Sequence, residues 1–275
     1  MIIGMASGYS WRDLKPFVVS LRNSGYGGRC VLIVGNGVAP DCGQMNHYKI
    51  ELHDLGNFSE HPIQARFPAV AKIIEASGDL RYVLTVDTRD VVFQSNPMTW
   101  IKKNIGDHEL LAVSEGLYGG ATEANVENKR RLTAAFGQEV SERMKNSPIC
   151  NGGVVAGLPA AMRDLQLAIY DLCPRVPGPV GTTGGWPSDQ EILSFLINSE
   201  SFASRTRVTG PKDGFAFTFD HLHHGAVFRT ETQPPYRRLK VYPPESDVPY
   251  AIFHQYLDWK EIIQNVYGCN DSDCL

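Results

Sequence analysis

The chain has 275 residues, a formal net charge of −4 and a hydrophobic content of 43%. This composition excludes a disordered chain, and the acidic balance argues against a dedicated nucleic-acid binder, which usually carries a basic surplus. No apolar run approaches the roughly 20 residues of a membrane-spanning helix, and residues 1–8 lack the basic start of a signal peptide. We therefore expect a soluble cytoplasmic protein that has no transmembrane segment and does not bind nucleic acid.

The six cysteines have neither CxxC nor zinc-finger spacing. Two of them lie in apolar or glycine-rich surroundings, where a reduced cysteine behaves as a small hydrophobic residue. Cys269 and Cys274 lie in a polar tail and would pair in an oxidising compartment. The pattern favours a reduced protein, in agreement with a cytoplasmic location.

The first hundred residues alternate short apolar runs with amphipathic stretches. The apolar runs predict strands, and the stretches with apolar residues at helical spacing predict helices. The predicted strands are 2–6, 30–34 and 82–86, and the predicted helices are 13–23 and 65–76. Strands that alternate with helices are typical of a parallel sheet covered by helices.

The rest of the chain continues this pattern and then becomes rich in predicted strands. The predicted strands are 110–113, 154–156, 215–219, 226–230 and 250–253, and the predicted helices are 123–145, 165–172 and one that starts at a capping box formed by Ser188 and Glu191. Residues 173–187 hold many prolines and glycines and predict a binding loop or lid. With no repeat and no linker, we predict one α/β domain over residues 1–275. It has a central, mostly parallel mixed sheet flanked by helices and a β-rich C-terminal part.

The segment from Tyr82 to Phe93, YVLTVDTRDVVF, carries the strongest functional signal. An apolar strand delivers Asp87 at its carboxyl end, where ligands bind in open α/β sheets. A turn before Asp90 would let both carboxylates converge on one cation, and oxygen ligands suit Mg²⁺ or Mn²⁺. The alternative interpretation is that Asp87 caps the turn and Asp90 pairs with a neighbouring arginine.

The run VLTVDTRDVVFQSNP resembles the metal-binding segment of GT-A glycosyltransferases, with DxxD in place of the usual DxD. Three later motifs are similar to motifs of that family and occur in the same order. They are NGGVVAG from Asn151, SDQE from Ser188 and FHQY from Phe253. The resemblance spans residues 1 to about 260 and implies a GT-A, Rossmann-like fold. It also implies a nucleotide-binding half over residues 1–115 and an acceptor and active-site half over residues 146–260.

The resemblance implies roles for the residues of these motifs. Asp189, Gln190 and Asn151 would orient the donor sugar or the acceptor hydroxyl, and Gly152 and Gly153 would let the backbone approach a sugar closely. From the residues alone, a glycine-rich turn before a buried strand and an aspartate that only complements the helix dipole stay open as alternatives.

Asp87, Asp90 and His254 are the metal ligands that the resemblance implies. An imidazole beside carboxylates would favour Mn²⁺ over Mg²⁺. A rival source of the histidine ligand is the cluster His221, His223 and His224. A histidine that only makes ordinary hydrogen bonds is the alternative for His254.

The nucleotide and its diphosphate are assigned to residues of both halves. The predicted binding residues are Ser7, Gly8, Tyr9, Arg12, Arg66, Gly152, Gly153 and Lys260. Tyr9 follows the first strand and could stack on a base, whereas Arg12 and Arg66 could contact phosphate. For both arginines, and for Lys260, a solvated surface position is the alternative interpretation.

The activity that the resemblance implies is metal-dependent transfer of a sugar, with retention of configuration, from a nucleoside diphosphate to an acceptor hydroxyl. UDP is the expected nucleotide, and a glycan or another hydroxyl compound is the expected acceptor. A metal-dependent phosphohydrolase and a non-catalytic sugar- or nucleotide-binding domain are the alternatives. The chain has no GxxxxGK[ST] and no GxGxxG motif, which argues against P-loop and dinucleotide-binding enzymes.

Overall fold

The computed structural model describes residues 1–37, 41–173, 188–233 and 236–256. The strands are β1 (Ile2–Met5), β2 (Cys30–Val34), β3 (Ile50–Asp54), β4 (Val83–Val86), β5 (Val91–Phe93), β6 (Leu110–Leu117), β7 (Pro148–Gly157), β8 (Thr206–Thr209), β9 (Ala216–Phe217), β10 (Val227–Gln233), β11 (Tyr236–Tyr242) and β12 (Ile252–His254). The helices are α1 (Trp11–Asn23), α2 (Cys42–His47), α3 (Pro62–Glu75), α4 (Pro97–Asn104), α5 (Glu123–Phe136), α6 (Gln138–Arg143), α7 (Pro159–Leu172), α8 (Asp189–Ile197) and α9 (Glu200–Ala203).

Seven strands form a central sheet in the order β3-β2-β1-β4-β7-β6-β8. The pairs β1–β2, β2–β3 and β6–β8 are parallel, whereas β6 and β7 run antiparallel. The strands β1, β2, β4, β6 and β7 contain predicted apolar runs, whereas β3 and β8 are more polar and were not predicted. All five residues of β2 are buried. The prediction of a mostly parallel mixed sheet flanked by helices is therefore confirmed.

The C-terminal part is rich in strands, as predicted. It contributes β12 and β9 to a three-stranded sheet of order β5-β12-β9, and it forms the antiparallel ribbon β10–β11. In the smaller sheet β12 runs antiparallel to β5 and parallel to β9. An apolar cluster that includes Val92, Phe217 and Phe253 packs this sheet.

The described residues group into two compact units. Unit 1 comprises Met1–Asn57, Val86–Lys103 and the described residues from Pro211 onward. Unit 2 comprises Phe58–Thr85 and Asn104–Gly210, without its undescribed stretch 174–187. The assignment of residues 1–275 to one domain with the halves 1–115 and 146–260 stays a prediction.

Three local predictions were wrong. The single helix over 123–145 is two helices because Gly137, at φ +86°, ends α5 and precedes α6. The Asn151-Gly152-Gly153 motif lies inside β7 instead of before it. Ser188 forms no side-chain capping bond to α8, since its backbone (φ −77°, ψ 48°) leaves the extended region that capping residues adopt.

Within the described ranges, no helix combines the length and apolarity needed to cross a membrane. Cys30, Cys42, Cys150 and Cys173 are free thiols. Cys269 and Cys274 lie outside the described residues, as does almost all of the predicted loop 173–187.

Candidate metal centre and amide network

Asp87, Asp90 and His254 converge in unit 1 and form what we call the candidate metal centre. Each offers one ligand atom, and these atoms all lie within 4.8 Å of one another. The His254 Nε2 atom is 3.6 Å from Asp87 Oδ2 and 3.7 Å from Asp90 Oδ1. The Asp87 side chain is 39% exposed and His254 only 3%, so the centre opens to solvent on the Asp87 side.

A bend between β4 and β5 brings the two carboxylates together. Thr88 is buried and anchors the bend, since its Oγ1 donates a hydrogen bond of 2.6 Å to the Met5 carbonyl. Gly4 in β1 makes room for it, because a Cβ at Gly4 would overlap Thr88 Cγ2. The predicted turn before Asp90 is therefore present, and it depends on a glycine in the first strand.

The end of β12 holds the other side of the centre. His254 pairs in register with Val91, directly after Asp90. The next two residues contact the bend, because Gln255 N–H donates to the Asp90 carbonyl at 2.9 Å and Tyr256 Oη donates to the Arg89 carbonyl at 2.9 Å. Gln255 adopts φ +65°, a conformation rare for a residue with a side chain, which is typical of constrained sites.

The donor set fits a divalent cation. Two atoms bound at about 2.1 Å to one ion are at most about 4.2 Å apart, and both histidine–carboxylate separations fall within this limit. Burial raises the pKa of the Asp90 carboxyl, His254 opposes that rise, and the charge of Asp87 adds to it. A cation would relieve the repulsion between the two carboxylates and would compete with a proton at Asp90.

The rival histidine cluster does not supply this ligand. His221 is buried, its ring stacks on Tyr250 at 5.6 Å, and its Nδ1 accepts a hydrogen bond from Thr218 N–H. His223 and His224 are exposed. Among the described residues, the group that could hold a metal ion is the Asp87, Asp90 and His254 centre.

The predicted nucleotide residues of unit 1 lie after β1. The Ser7 hydroxyl donates to the Gly35 carbonyl at 3.3 Å, Gly8 adopts φ +79°, and Arg12 is exposed. The half-buried Tyr9 has its pKa raised by burial and then by the charge of Asp87. Tyr9 thus lies near the candidate metal centre, and the Arg89 guanidinium lies over its ring, 5.9 Å from the centroid.

In unit 2, Arg66 of α3 pairs with Asp189 of α8. Arg66 Nη2 is 2.9 Å from Asp189 Oδ2 and 3.4 Å from the Gly152 carbonyl, and both charged side chains are about five-sixths buried, at 16% and 15% exposed. A Cβ at Gly152 would be 3.3 Å from Asp189 Oδ2, so the glycine gives the carboxylate its space. The structure therefore brings Arg66, Asp189 and Gly152 together, with the arginine paired to a carboxylate.

Asn151 and Gln190 meet at a residue that sequence reasoning missed, Glu115 at the end of β6. Asn151 Nδ2 donates to Glu115 Oε1 at 2.5 Å, and Gln190 Nε2 donates to Glu115 Oε2 at 2.8 Å. Gln190 also bonds Asn128 Oδ1 at 3.0 Å, and Asn151 Oδ1 accepts from Gly153 N–H at 2.8 Å. We call Glu115, Asn128, Asn151 and Gln190 the amide network; both Asn151 and Glu115 are buried.

The sequence does contain a signal for Glu115. It is a charged residue that lies between Ser114 and Gly116 at the end of an apolar strand. Lys260, the last predicted diphosphate residue, lies outside the described residues. Comparison of the chain with protein-family models and with curated proteins finds no match.

Proposed function

We propose that the protein is a glycosyltransferase that uses Mn²⁺ to transfer a sugar from a nucleoside diphosphate, UDP in this proposal, to an acceptor hydroxyl. The observation that carries the proposal is the convergence of Asp87, Asp90 and His254 just beyond the carboxyl end of β4. Ligands of open α/β sheets bind beyond such strand ends. The order of the sequence motifs supports the choice of reaction.

Asp87, Asp90 and His254 would hold the ion, and a nitrogen ligand beside two carboxylates favours Mn²⁺ over Mg²⁺. When bound, the ion would supply Lewis-acid stabilisation of the departing diphosphate. In the transfer, the bond between the anomeric carbon and the diphosphate oxygen breaks, and its electron pair leaves with the diphosphate. A bond to the acceptor oxygen forms as that hydroxyl passes its proton to the departing diphosphate oxygen.

In this proposal Asp189, Gln190 and Asn151 orient the donor sugar or the acceptor hydroxyl. Asp189 would accept hydrogen bonds from sugar hydroxyls while Arg66 holds its carboxylate in place. Gln190 and Asn151 act by fixing Glu115, since both amides donate to its carboxylate. We keep retention of configuration as the proposed outcome because the Asn-Gly-Gly and Asp-Gln motifs resemble those of retaining enzymes.

A donor screen tests the proposal. The protein is incubated with UDP- and GDP-sugars in Mn²⁺ or in excess EDTA, and released nucleoside diphosphate is quantified. We expect release from at least one donor in Mn²⁺ only, with the anomeric configuration of the product read by NMR. Release of inorganic phosphate instead would indicate the phosphohydrolase. Binding of UDP and Mn²⁺, seen as a thermal shift without turnover, would indicate a binding domain.

A further inference from the structure

Arg89 is an exposed cation placed between the two carboxylates of the candidate metal centre in the sequence. Its guanidinium lies over the Tyr9 ring, 5.9 Å from the ring centroid. Over the ranges that the structure describes, Arg89 forms no ion pair, although Asp87 and Asp90 are its neighbours in the sequence.

The backbone at Arg89 is held in place by hydrogen bonds of the bend. Tyr256 Oη donates to the Arg89 carbonyl at 2.9 Å, and the preceding Thr88 is anchored to the Met5 carbonyl. An arginine beside two carboxylates would ordinarily fold onto them. The electron-rich face of Tyr9 offers it another position, since guanidinium groups are attracted to aromatic faces within about 6 Å.

The charge balance of the candidate metal centre indicates a role for the Arg89 guanidinium. Two carboxylates and one divalent ion sum to about zero net charge, so the charge of a bound diphosphate would need a further positive group. A guanidinium matches phosphate oxygens in two parallel hydrogen bonds. Arg66, the arginine that the sequence assigned to the diphosphate, is already paired with Asp189.

We propose that Arg89 binds the phosphate groups of the ligand at the candidate metal centre, with Tyr9 holding the guanidinium clear of Asp87 and Asp90 until the ligand arrives. This inference rests on the proposed function in taking the ligand to be a nucleoside diphosphate. It names Arg89 as a phosphate-binding residue and Tyr9 as the residue that positions it.

Calorimetric titrations of the whole chain test the proposal with four probes: Mn²⁺ alone, and then UDP, uridine and inorganic pyrophosphate in saturating Mn²⁺. For Arg89→Ala we expect UDP and pyrophosphate to bind about 10- to 100-fold more weakly than to the wild type, the scale of a charge-assisted hydrogen bond. The affinities for Mn²⁺ alone and for uridine should not fall. Arg89→Lys should be intermediate because a point charge replaces the planar fork.

Arg29→Ala is the matched control, since Arg29 is an exposed arginine of the same unit that pairs with Glu51 at 2.9 Å. It should bind all four probes like the wild type. Tyr9→Leu should weaken the binding of pyrophosphate, a probe without a base that could stack on the Tyr9 ring, and Tyr9→Phe should restore it because the ring remains. Wild-type affinity of Arg89→Ala for UDP and pyrophosphate would overturn the inference.

The two proposals can fail separately. If the wild type binds pyrophosphate with Mn²⁺ but neither UDP nor any other nucleotide, and Arg89→Ala loses that binding, the Arg89 inference stands and the glycosyltransferase proposal falls. If UDP-sugars are turned over but Arg89→Ala binds UDP normally, the glycosyltransferase proposal stands and the Arg89 inference falls. Absence of phosphate binding by the wild type overturns both.

Discussion

The candidate metal centre and the amide network both gather polar side chains from distant parts of the chain, but they are spaced differently. At the metal centre His254 lies 3.6 and 3.7 Å from the two carboxylates, beyond hydrogen-bond distance. In the amide network the contacts to Glu115 are 2.5 and 2.8 Å. The first arrangement has room for an ion between its groups, whereas the second is closed by its own hydrogen bonds. We infer that the candidate metal centre binds a ligand, whereas the amide network holds its own side chains in position.

The largest effect should come from removing a ligand of the metal centre. Loss of a residue that only hydrogen-bonds a metal ligand typically weakens metal binding 10- to 100-fold, so loss of a proposed ligand itself in Asp87→Asn should weaken Mn²⁺ binding by at least about 100-fold. Titration of free Mn²⁺ by electron paramagnetic resonance measures this. Asp247→Asn, at a side chain that is 97% exposed, is the control. Unchanged Mn²⁺ affinity in folded Asp87→Asn protein would show that Asp87 is not a metal ligand. The inferred difference in ion binding between the metal centre and the amide network would then be wrong.

The amide network should respond in stability. Glu115→Ala takes the acceptor away from the Asn151 and Gln190 amides. Gln190 keeps its bond to Asn128, whereas the buried Asn151 donor loses its partner, at a cost of about 1–3 kcal/mol. Urea unfolding should show a loss in the free energy of unfolding of that size, while Mn²⁺ affinity is kept because its ligands belong to unit 1. Glu127→Gln, at an exposed ion pair, should change stability little. Wild-type stability of Glu115→Ala would argue that the network is not structural.

Glu191, the buried neighbour of Gln190, should make stability depend on pH. Burial raises the pKa of Glu191 to about 7, its own backbone N–H and Arg131 oppose the rise, and the charges of Asp189 and Glu115 add to it. A raised pKa means that the stabilisation is complete below the unfolded value of about 4.5 and is lost as pH rises through about 7. Wild-type stability should therefore fall between about pH 4.5 and about pH 7.

Glu191→Gln removes this titration. It should exceed the wild type in stability at pH 8.5 by about 1–3 kcal/mol, with little difference at about pH 4. The pKa of Glu127 is shifted in the opposite direction, because Arg130 and Arg131 lower the pKa of its carboxyl. A pH profile of Glu191→Gln that is parallel to that of the wild type would contradict the prediction.

The smallest effect should come from Gly152→Ala. The new Cβ would lie 3.3 Å from Asp189 Oδ2, so the carboxylate must move by a few tenths of an ångström against its contact with Arg66. We expect a loss of up to about 1 kcal/mol. A double-mutant cycle with Asp189→Asn isolates this coupling, and additive losses would place the cost elsewhere.

The sequence predicted what depends on local pattern. The run Cys30–Val34 is a strand with those bounds, and the turn that joins Asp87 to Asp90 could be expected from an apolar strand followed by polar residues. It did not predict that Asn151 and Gln190 share Glu115, or that Arg66 pairs with Asp189. Those contacts join elements that are far apart in the chain, and the local spacing of apolar residues does not indicate them. The capping box failed for a similar reason, since Glu191 is drawn into the interior of unit 2.

The ligands of the metal centre come from opposite ends of a long stretch of chain, Asp90 from the bend before β5 and His254 from the last residue of β12. An ion held by both would act as a non-covalent cross-link closing a very large loop, which lowers the entropy of the unfolded chain as a disulfide does. Amide protons of β5 and β12 should then exchange more slowly with deuterium in Mn²⁺ than in EDTA. In that case the cation would stabilise the fold of unit 1 as well as take part in the proposed reaction.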